Sequence, residues 1–149
     1  RIAKAFGMNI NYFSVRNYKK TQFLKFLSSL DYLSIHCPLN EKTKDLITIK
    51  ELKIMKKNMI LINTARGGIV NENDLTKALK QKIIAGAGID VTTSEPPKKS
   101  HAYYSILNEA NFIWTPHTAW ASNETLQEAI NQLIKNINSF YKGRKRNIV

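Results

Sequence analysis

A chain of 149 residues fits one domain, and its 43% apolar residues suffice for a hydrophobic core. The net charge of +12, from 23 Lys and Arg against 11 Asp and Glu, comes without a zinc-finger spacing or an RNA-binding motif, so we interpret it as solvated helix faces and expect no nucleic-acid partner. No apolar stretch approaches the length of a membrane helix, so we expect no membrane partner, and the single cysteine, Cys37, favours the cytoplasm.

Short apolar runs alternate with amphipathic helical runs along the chain, as they do in βαβ units. Their composition predicts five strands, at residues 8–13, 32–37, 59–63, 84–90 and 111–114. Near-continuous apolar strands favour a parallel sheet that is covered on both faces. The pattern therefore predicts an α/β protein with a Rossmann-type, doubly wound parallel sheet.

Capping signals mark the ends of the predicted helices. Thr48 and Glu51 have the spacing of a capping box, and Asn71 precedes another helical run. Ser122 is placed to begin the longest helix and Gly143 to end it. The apolar residues of this helix recur with a helical period, so we expect them to form one buried face. They are Leu126, Ala129, Ile130, Leu133, Ile134, Ile137, Phe140 and Tyr141.

The chain opens inside a helical pattern, because Ile2, Ala3, Ala5 and Phe6 precede Gly7. A dinucleotide-binding fold needs a Gly-rich loop between its first strand and its first helix, and none of the 149 residues supplies one. We therefore expect a fragment that is truncated at the N-terminus and lacks that strand and loop. Residues 1–142 would form a partial dinucleotide-binding domain, and residues 143–149 a tail returning toward an absent substrate domain.

Chemically useful residues follow three successive predicted strands, at the ends where ligands bind in an open parallel sheet. The first is Arg66, after which Gly67 and Gly68 let the backbone turn sharply and approach a ligand. The planar guanidinium of Arg66 suits a carboxylate. A surface arginine in a glycine turn is the alternative, and this motif alone does not decide between them.

An acid and an imidazole follow the next two strands. Glu95 lies five residues after Asp90, where it either accepts a hydrogen bond from an imidazole or an amide, or is an ordinary solvated acid. His117 lies between an apolar strand and a capped helix, and a histidine is the natural proton donor for carbonyl reduction near neutral pH. Of the other histidines, we expect His36 to be structural, within a strand, and His101 to be exposed in a polar loop.

Four motifs together carry a resemblance to a known family. Residues 63–72 read Asn-Thr-Ala-Arg-Gly-Gly-Ile-Val-Asn-Glu, residues 88–91 read Gly-Ile-Asp-Val, residues 95–96 read Glu-Pro and residues 115–117 read Thr-Pro-His. In order and spacing the chain resembles the NAD-dependent D-isomer-specific 2-hydroxyacid dehydrogenases. The continuation Trp-Ala-Ser at residues 120–122 is most similar to the glycerate dehydrogenase, or hydroxypyruvate reductase, branch.

The resemblance implies an oxidoreductase that moves a hydride between a nicotinamide cofactor and a small D-2-hydroxy or 2-keto acid, such as glycerate, hydroxypyruvate or glyoxylate. It implies that Arg66 holds the substrate carboxylate and that His117 donates the proton. Glu95 would bind the other imidazole nitrogen and keep the acid form available. The implied cofactor-binding residues are Ser14, Arg16, Cys37, Pro38, Thr64, Ala65 and Asp90, and no metal is implied.

Two departures from the family pattern bear on the cofactor and the motif. Asn71 replaces an aspartate, and Ser14 stands where the family has an acid at the end of the ribose strand, with Arg16 two residues on. Since that acid binds the ribose 2′-hydroxyl and repels a 2′-phosphate, we expect NADP to be accepted as well as NAD. The resemblance further implies a homodimer for the complete protein. A dinucleotide-sensing corepressor on the same fold stays open as an alternative.

Overall fold

The computed structural model describes residues 1–148 and contains two compact units. The first unit, Arg1–Pro116, carries a parallel sheet of four strands in the order β1-β2-β3-β4. These strands are β1 (Tyr32–Ile35), β2 (Ile60–Asn63), β3 (Gly86–Ile89) and β4 (Phe112–Trp114). Ile35 pairs with Asn63, and Asn63 with Ile89, so the carboxyl ends of the strands lie together at one end of the sheet. The predicted α/β fold with a parallel sheet is confirmed.

The first of the five predicted strands is wrong. Residues 8–13 form no strand, and a cavity of about 930 Å³ is lined by this segment and by β1. A strand is stabilised by ladder hydrogen bonds to a neighbour, and β1, at the edge of the sheet, pairs with β2 alone. The segment is instead held by Phe13, whose ring centroid lies 5.0 Å from that of Phe23.

Three helices begin where the capping signals predict. The helices are α1 (Ile2–Ala5), α2 (Lys20–Ser29), α3 (Ile49–Leu52), α4 (Glu72–Lys80) and α5 (Asn123–Tyr141). Thr48 and Glu51 form a capping box on α3, Asn71 caps α4 and Ser122 caps α5. Gly143 lies two residues after Tyr141, the last residue of α5, and its φ of 63° is a left-handed conformation that suits glycine just past a helix end.

The core of the first unit contains buried apolar residues from each of β1 to β4 and from α2, α3 and α4. Leu27, Leu61 and Leu75 are fully buried representatives of α2, β2 and α4. Burial alternates along β2, where Leu61 and Asn63 are buried and Ile60 and Ile62 are half-buried. The prediction that both faces are covered therefore holds only in part, because one face of β2 keeps some exposure.

The second unit begins at His117 and is mostly α5. The prediction of a buried face on this helix is wrong for the residues described here, since none of its residues is buried and Phe140 is 83% exposed. A helical period of apolar residues shows that a helix is amphipathic, but burial also requires a surface that covers the apolar side. In the part of the chain that the structure describes, no helix is long and apolar enough to cross a membrane.

Candidate active site

The loop after β2 is shaped by a buried amide. Asn63 is 2% exposed, and its Nδ2 donates to the carbonyl of Arg66 at 3.0 Å while its Oδ1 accepts from the backbone N–H of Ala65 at 3.1 Å. These two bonds fold the chain back over residues 64–66 and leave the Arg66 side chain exposed at the end of the sheet. The sequence analysis missed Asn63 as a site residue. A polar residue at the end of an otherwise apolar strand could have indicated it.

Asp90 ties the ends of three strands together. It is 3% exposed, its backbone N–H donates to the carbonyl of Asn63 at 3.0 Å, and the hydroxyl of Thr115 donates to its carboxylate. The backbone N–H of Thr115 in turn donates to the carbonyl of Ile89 at 3.0 Å. A hydrogen-bonded carboxylate is thus held in the protein interior just where β3 ends.

The Glu95 loop packs directly against the Arg66 loop. A Cβ on Gly67 would lie 2.0 Å from the carbonyl carbon of Thr92, so only a glycine allows the two backbones to meet. The Glu95 carboxylate accepts from the backbone N–H of Thr92 at 3.0 Å, and the side chain is exposed. The guanidinium and the carboxylate predicted for the site are therefore carried by two loops in mutual contact.

His117 is half-buried and has a φ of 56°, in the left-handed region. Residues other than glycine are uncommon there because the conformation costs free energy. The residues that do adopt it cluster at functional sites. The carbonyl of His117 accepts from the indole Nε1 of Trp120 at 2.9 Å. This bond helps to fix the backbone that presents the imidazole.

The other two histidines differ from what the sequence predicts. His36 lies just past β1, exposed, with its Nε2 2.7 Å from the hydroxyl of Ser34. The side chain of His101 is only 9% exposed, its Nε2 lies 2.8 Å from a carboxylate oxygen of Glu72, and its ring stacks on Trp114. The prediction of an exposed His101 is wrong because its loop folds onto an aromatic cluster. Glu72 is a second residue that the sequence analysis missed.

Four of the predicted cofactor residues line one cavity. Ser14, Arg16, Cys37 and Pro38 surround the space of about 930 Å³ beside β1, a volume typical of small-molecule sites. The hydroxyl of Ser14 accepts from the backbone N–H of Arg16 at 3.3 Å. Burial raises the pKa of the Cys37 thiol, so it is a neutral, partly apolar wall of the cavity at physiological pH.

The remaining predicted cofactor residues follow the neighbouring strands. Thr64 and Ala65 come directly after β2 and Asp90 directly after β3, at the same end of the sheet as Cys37. Ligands of an open parallel sheet bind outside this end of the strands, so a dinucleotide bound there would lie beside these residues. The Gly-rich turn that would hold the pyrophosphate does not occur within the 149 residues.

A parallel sheet with polar residues at the carboxyl ends of its strands defines a Rossmann-type, nucleotide-binding α/β domain. Residues 1–119 match the profile of the D-isomer specific 2-hydroxyacid dehydrogenase, NAD binding domain, so the chain belongs to this family. Glycerate dehydrogenase from Methylorubrum extorquens is 43% identical over 151 residues, which cover 99% of this chain and 47% of that protein. Glyoxylate reductase from Thermococcus litoralis is 39% identical, covering 95% of this chain and 44% of its own length.

Solved structures of the same family share the fold. The NAD-complexed D-isomer specific 2-hydroxyacid dehydrogenase from Lactobacillus delbrueckii ssp. bulgaricus superimposes with a TM-score of 0.87 at 29% identity, covering 99% of this chain and 51% of that one. The glyoxylate reductase from Paecilomyes thermophila gives a TM-score of 0.76 at 32% identity, covering 93% of this chain and 43% of that one. The chain thus spans about half the length of the relatives that it matches.

Proposed function

We propose that the protein is an oxidoreductase that interconverts a small D-2-hydroxy acid and its 2-keto acid with a nicotinamide cofactor. The observation that carries this proposal is the direct packing of the Arg66 loop on the Glu95 loop at the carboxyl ends of β2 and β3, in a chain of the dehydrogenase family. The loops that carry an exposed guanidinium and an exposed carboxylate thereby contact each other at the end of the sheet where this fold class binds its ligands.

Each residue of the proposed trio has a chemical task. The exposed fork of Arg66 suits two-point binding of the substrate carboxylate and polarises the keto oxygen. His117 donates a proton to that oxygen during reduction and accepts it during oxidation, while Glu95 holds the imidazole and favours its protonated form. A nicotinamide bound at this end of the sheet would supply or accept the hydride. Asp90, Thr64 and Ala65 are placed to orient it.

The proposed substrates are hydroxypyruvate or glyoxylate and the corresponding hydroxy acids. This choice is supported by the relatives that carry the names glycerate dehydrogenase, glyoxylate reductase and hydroxypyruvate reductase, at 43%, 39% and 31% identity. We further propose that residues 1–142 form the dinucleotide-binding domain, and that the complete enzyme is a cytoplasmic homodimer. The corepressor alternative finds no support among these relatives.

Substitution of the proposed acid tests the proposal. In the full-length protein, His117→Ala should lower kcat for hydroxypyruvate or glyoxylate by about a hundred- to ten-thousand-fold, the usual contribution of general acid catalysis. Binding of NADH, followed by fluorescence, should survive, which separates a lost proton donor from a lost fold. Near-normal reduction of both keto acids by this variant would overturn the assignment.

We also propose that the cofactor site accepts NADP and not NAD alone. Ser14 and Arg16 are both exposed at the mouth of the cavity, so a ribose 2′-phosphate would meet a hydroxyl and a guanidinium and no carboxylate from these positions. The plain alternative is that Arg16 is a solvated surface charge, and the family profile itself names NAD.

The cofactor proposal is tested by comparing kcat/KM with NADPH and with NADH. Arg16→Ala should lower the value for NADPH and leave that for NADH nearly unchanged, since only NADPH carries the additional phosphate. Lys25→Ala is a matched control, because Lys25 is an exposed cation on α2 that does not line the cavity. A strong preference for NADH in the wild-type protein would contradict the proposal.

A further inference from the structure

A nearly buried carboxylate at the start of α4 accepts three hydrogen bonds. Glu72 is the first residue of this helix, and its side chain is 12% exposed. Its Oε1 accepts from the backbone N–H of Thr93 at 2.7 Å, and its Oε2 accepts from the Thr93 hydroxyl at 2.8 Å. The third donor is His101, through Nε2 at 2.8 Å. Three hydrogen bonds therefore converge on one carboxylate at the N-terminus of α4.

The tautomer of His101 is fixed by its second nitrogen. The backbone N–H of Tyr103 donates to Nδ1 at 3.3 Å, and a backbone N–H has only a donor to offer. Nδ1 therefore carries no proton, so the Nε2–H of the neutral ring donates to Glu72. Burial and, to a lesser extent, the Glu72 carboxylate raise the pKa of the Tyr103 phenol, as expected beside an ionised acid.

These bonds hold the loop that carries Glu95. Thr93 lies two residues before Glu95, and the peptide between Thr92 and Thr93 is the one against which Gly67 packs. Glu72 binds both the backbone and the side chain of Thr93, so it fixes this peptide. Neither the sequence motifs nor the proposed catalytic trio assigns a task to Glu72 or His101.

We propose that Glu72, held by His101, is a positioning residue that fixes the Glu95 loop against the Arg66 loop. This inference rests on the proposed role of Glu95 in orienting the catalytic imidazole. Glu72 does not touch substrate or cofactor in this scheme, and it acts only through Thr93. A loop displaced by a fraction of an ångström changes the hydrogen bond that Glu95 makes, and such misplacement lowers the rate of the chemical step more than it lowers binding.

Both carboxylate oxygens of Glu72 are required as hydrogen-bond acceptors. A glutamine at position 72 has one acceptor oxygen, and its NH₂ group would face either the N–H of Thr93 or the Nε2–H of His101. Since two donors cannot bond to each other, one of the three hydrogen bonds is lost in either amide orientation. Glu72→Gln is therefore the variant that disturbs the loop with the least change in volume.

The experiment compares pH profiles of kcat in the full-length protein. One limb of each profile reflects the protonation of the catalytic imidazole. Glu95→Gln should move this limb to lower pH, because imidazolium loses its carboxylate partner. We expect Glu72→Gln to move the same limb in the same direction by a smaller amount, and to lower kcat by about tenfold with little change in KM for the cofactor. Thr93→Val, at an exposed position, removes one of the three bonds and should give a smaller effect of the same kind.

A double variant and a control variant test whether Glu72 acts through Glu95. Glu72→Gln should cause no additional shift of the limb when Glu95→Gln is already present, because residues that act through one contact are not additive. Asp74→Asn is the matched control in the same helical turn, since its carboxylate accepts from Ile49 and not from the Glu95 loop. This control should leave the pH profile unchanged.

The outcomes separate this inference from the proposed function. If Glu95→Gln moves no limb, the role assigned to Glu95 fails. If Glu95→Gln moves the limb while Glu72→Gln and Thr93→Val leave it in place, only the positioning role is overturned. Equal effects of Glu72→Gln and Asp74→Asn would also overturn it, because they would reflect the stability of α4 alone.

Discussion

At the residue scale, Gly67 and Gly88 have very different surroundings. The Cα of Gly67 faces the Thr92–Thr93 peptide, and a Cβ there would lie 2.0 Å from one backbone carbon and 2.1 Å from its oxygen. Gly88, in β3, has no atom within 4 Å of the position that a Cβ would take. Backbone atoms move less easily than flexible side chains, so a methyl group is excluded at the first position and tolerated at the second.

This contrast gives a paired prediction on stability. Gly67→Ala should lower the free energy of unfolding by about 1–3 kcal/mol, as overpacking does, and should also lower activity by separating the Arg66 and Glu95 loops. Gly88→Ala should be neutral or should stabilise by about 0.4–1 kcal/mol, through the lower entropy of the unfolded chain. Chemical denaturation of the full-length variants measures both, and equal effects of the two substitutions would show that the loop contact is not tight.

At the scale of elements, the first turn of α4 connects several distant segments. Asn71, which caps the helix, also donates to the carboxylate of Asp45 at 3.0 Å. Asp74 accepts from the backbone N–H of Ile49 at 2.9 Å, and Glu72 binds Thr93 and His101 as described above. Polar residues at this helix N-terminus thus bond to groups of other segments as well as to their own helix, and each of the three holds a different segment.

The four-residue helix α3 depends strongly on its caps, because so short a helix is not stable by itself. The Thr48 hydroxyl donates to Glu51 at 2.6 Å and accepts from the backbone N–H of Lys50 at 3.3 Å, and Glu51 is 6% exposed. Thr48→Ala should destabilise the protein by about 0.5–2 kcal/mol, the usual cost of a lost cap. Thr21→Ala, at an exposed position of α2, serves as the control and should change stability by less than about 0.5 kcal/mol.

At the scale of the whole molecule, two surfaces of the described residues lack a covering element. β1 pairs on one side only and faces a large cavity on the other, and the apolar side of α5 is exposed. Backbone groups without a neighbouring strand need water or another partner, and they reduce stability where neither is present. Apolar area that stays exposed contributes nothing to stability, because only its removal from water is favourable. The 149 residues also contain no Gly-rich turn to bind a pyrophosphate.

These features predict how the 149-residue segment behaves by itself. Expressed alone, it should unfold without a sharp thermal transition and bind NADH weakly or not at all. Circular dichroism during heating and a fluorescence titration with NADH measure the two properties. A cooperative transition together with micromolar binding would show that the cavity beside β1 is compatible with a stable, functional domain.

The sequence by itself determined the α/β class, four of the five strands, the three predicted N-terminal helix caps, and the family. These follow from local signals: apolar runs, capping residues and short motifs act over a few neighbouring positions. The sequence did not determine that residues 8–13 lack ladder bonds, that α5 is exposed or that His101 is buried. Each of these depends on which surface lies opposite, and only the tertiary structure brings together residues as far apart as Glu72, Thr93 and His101.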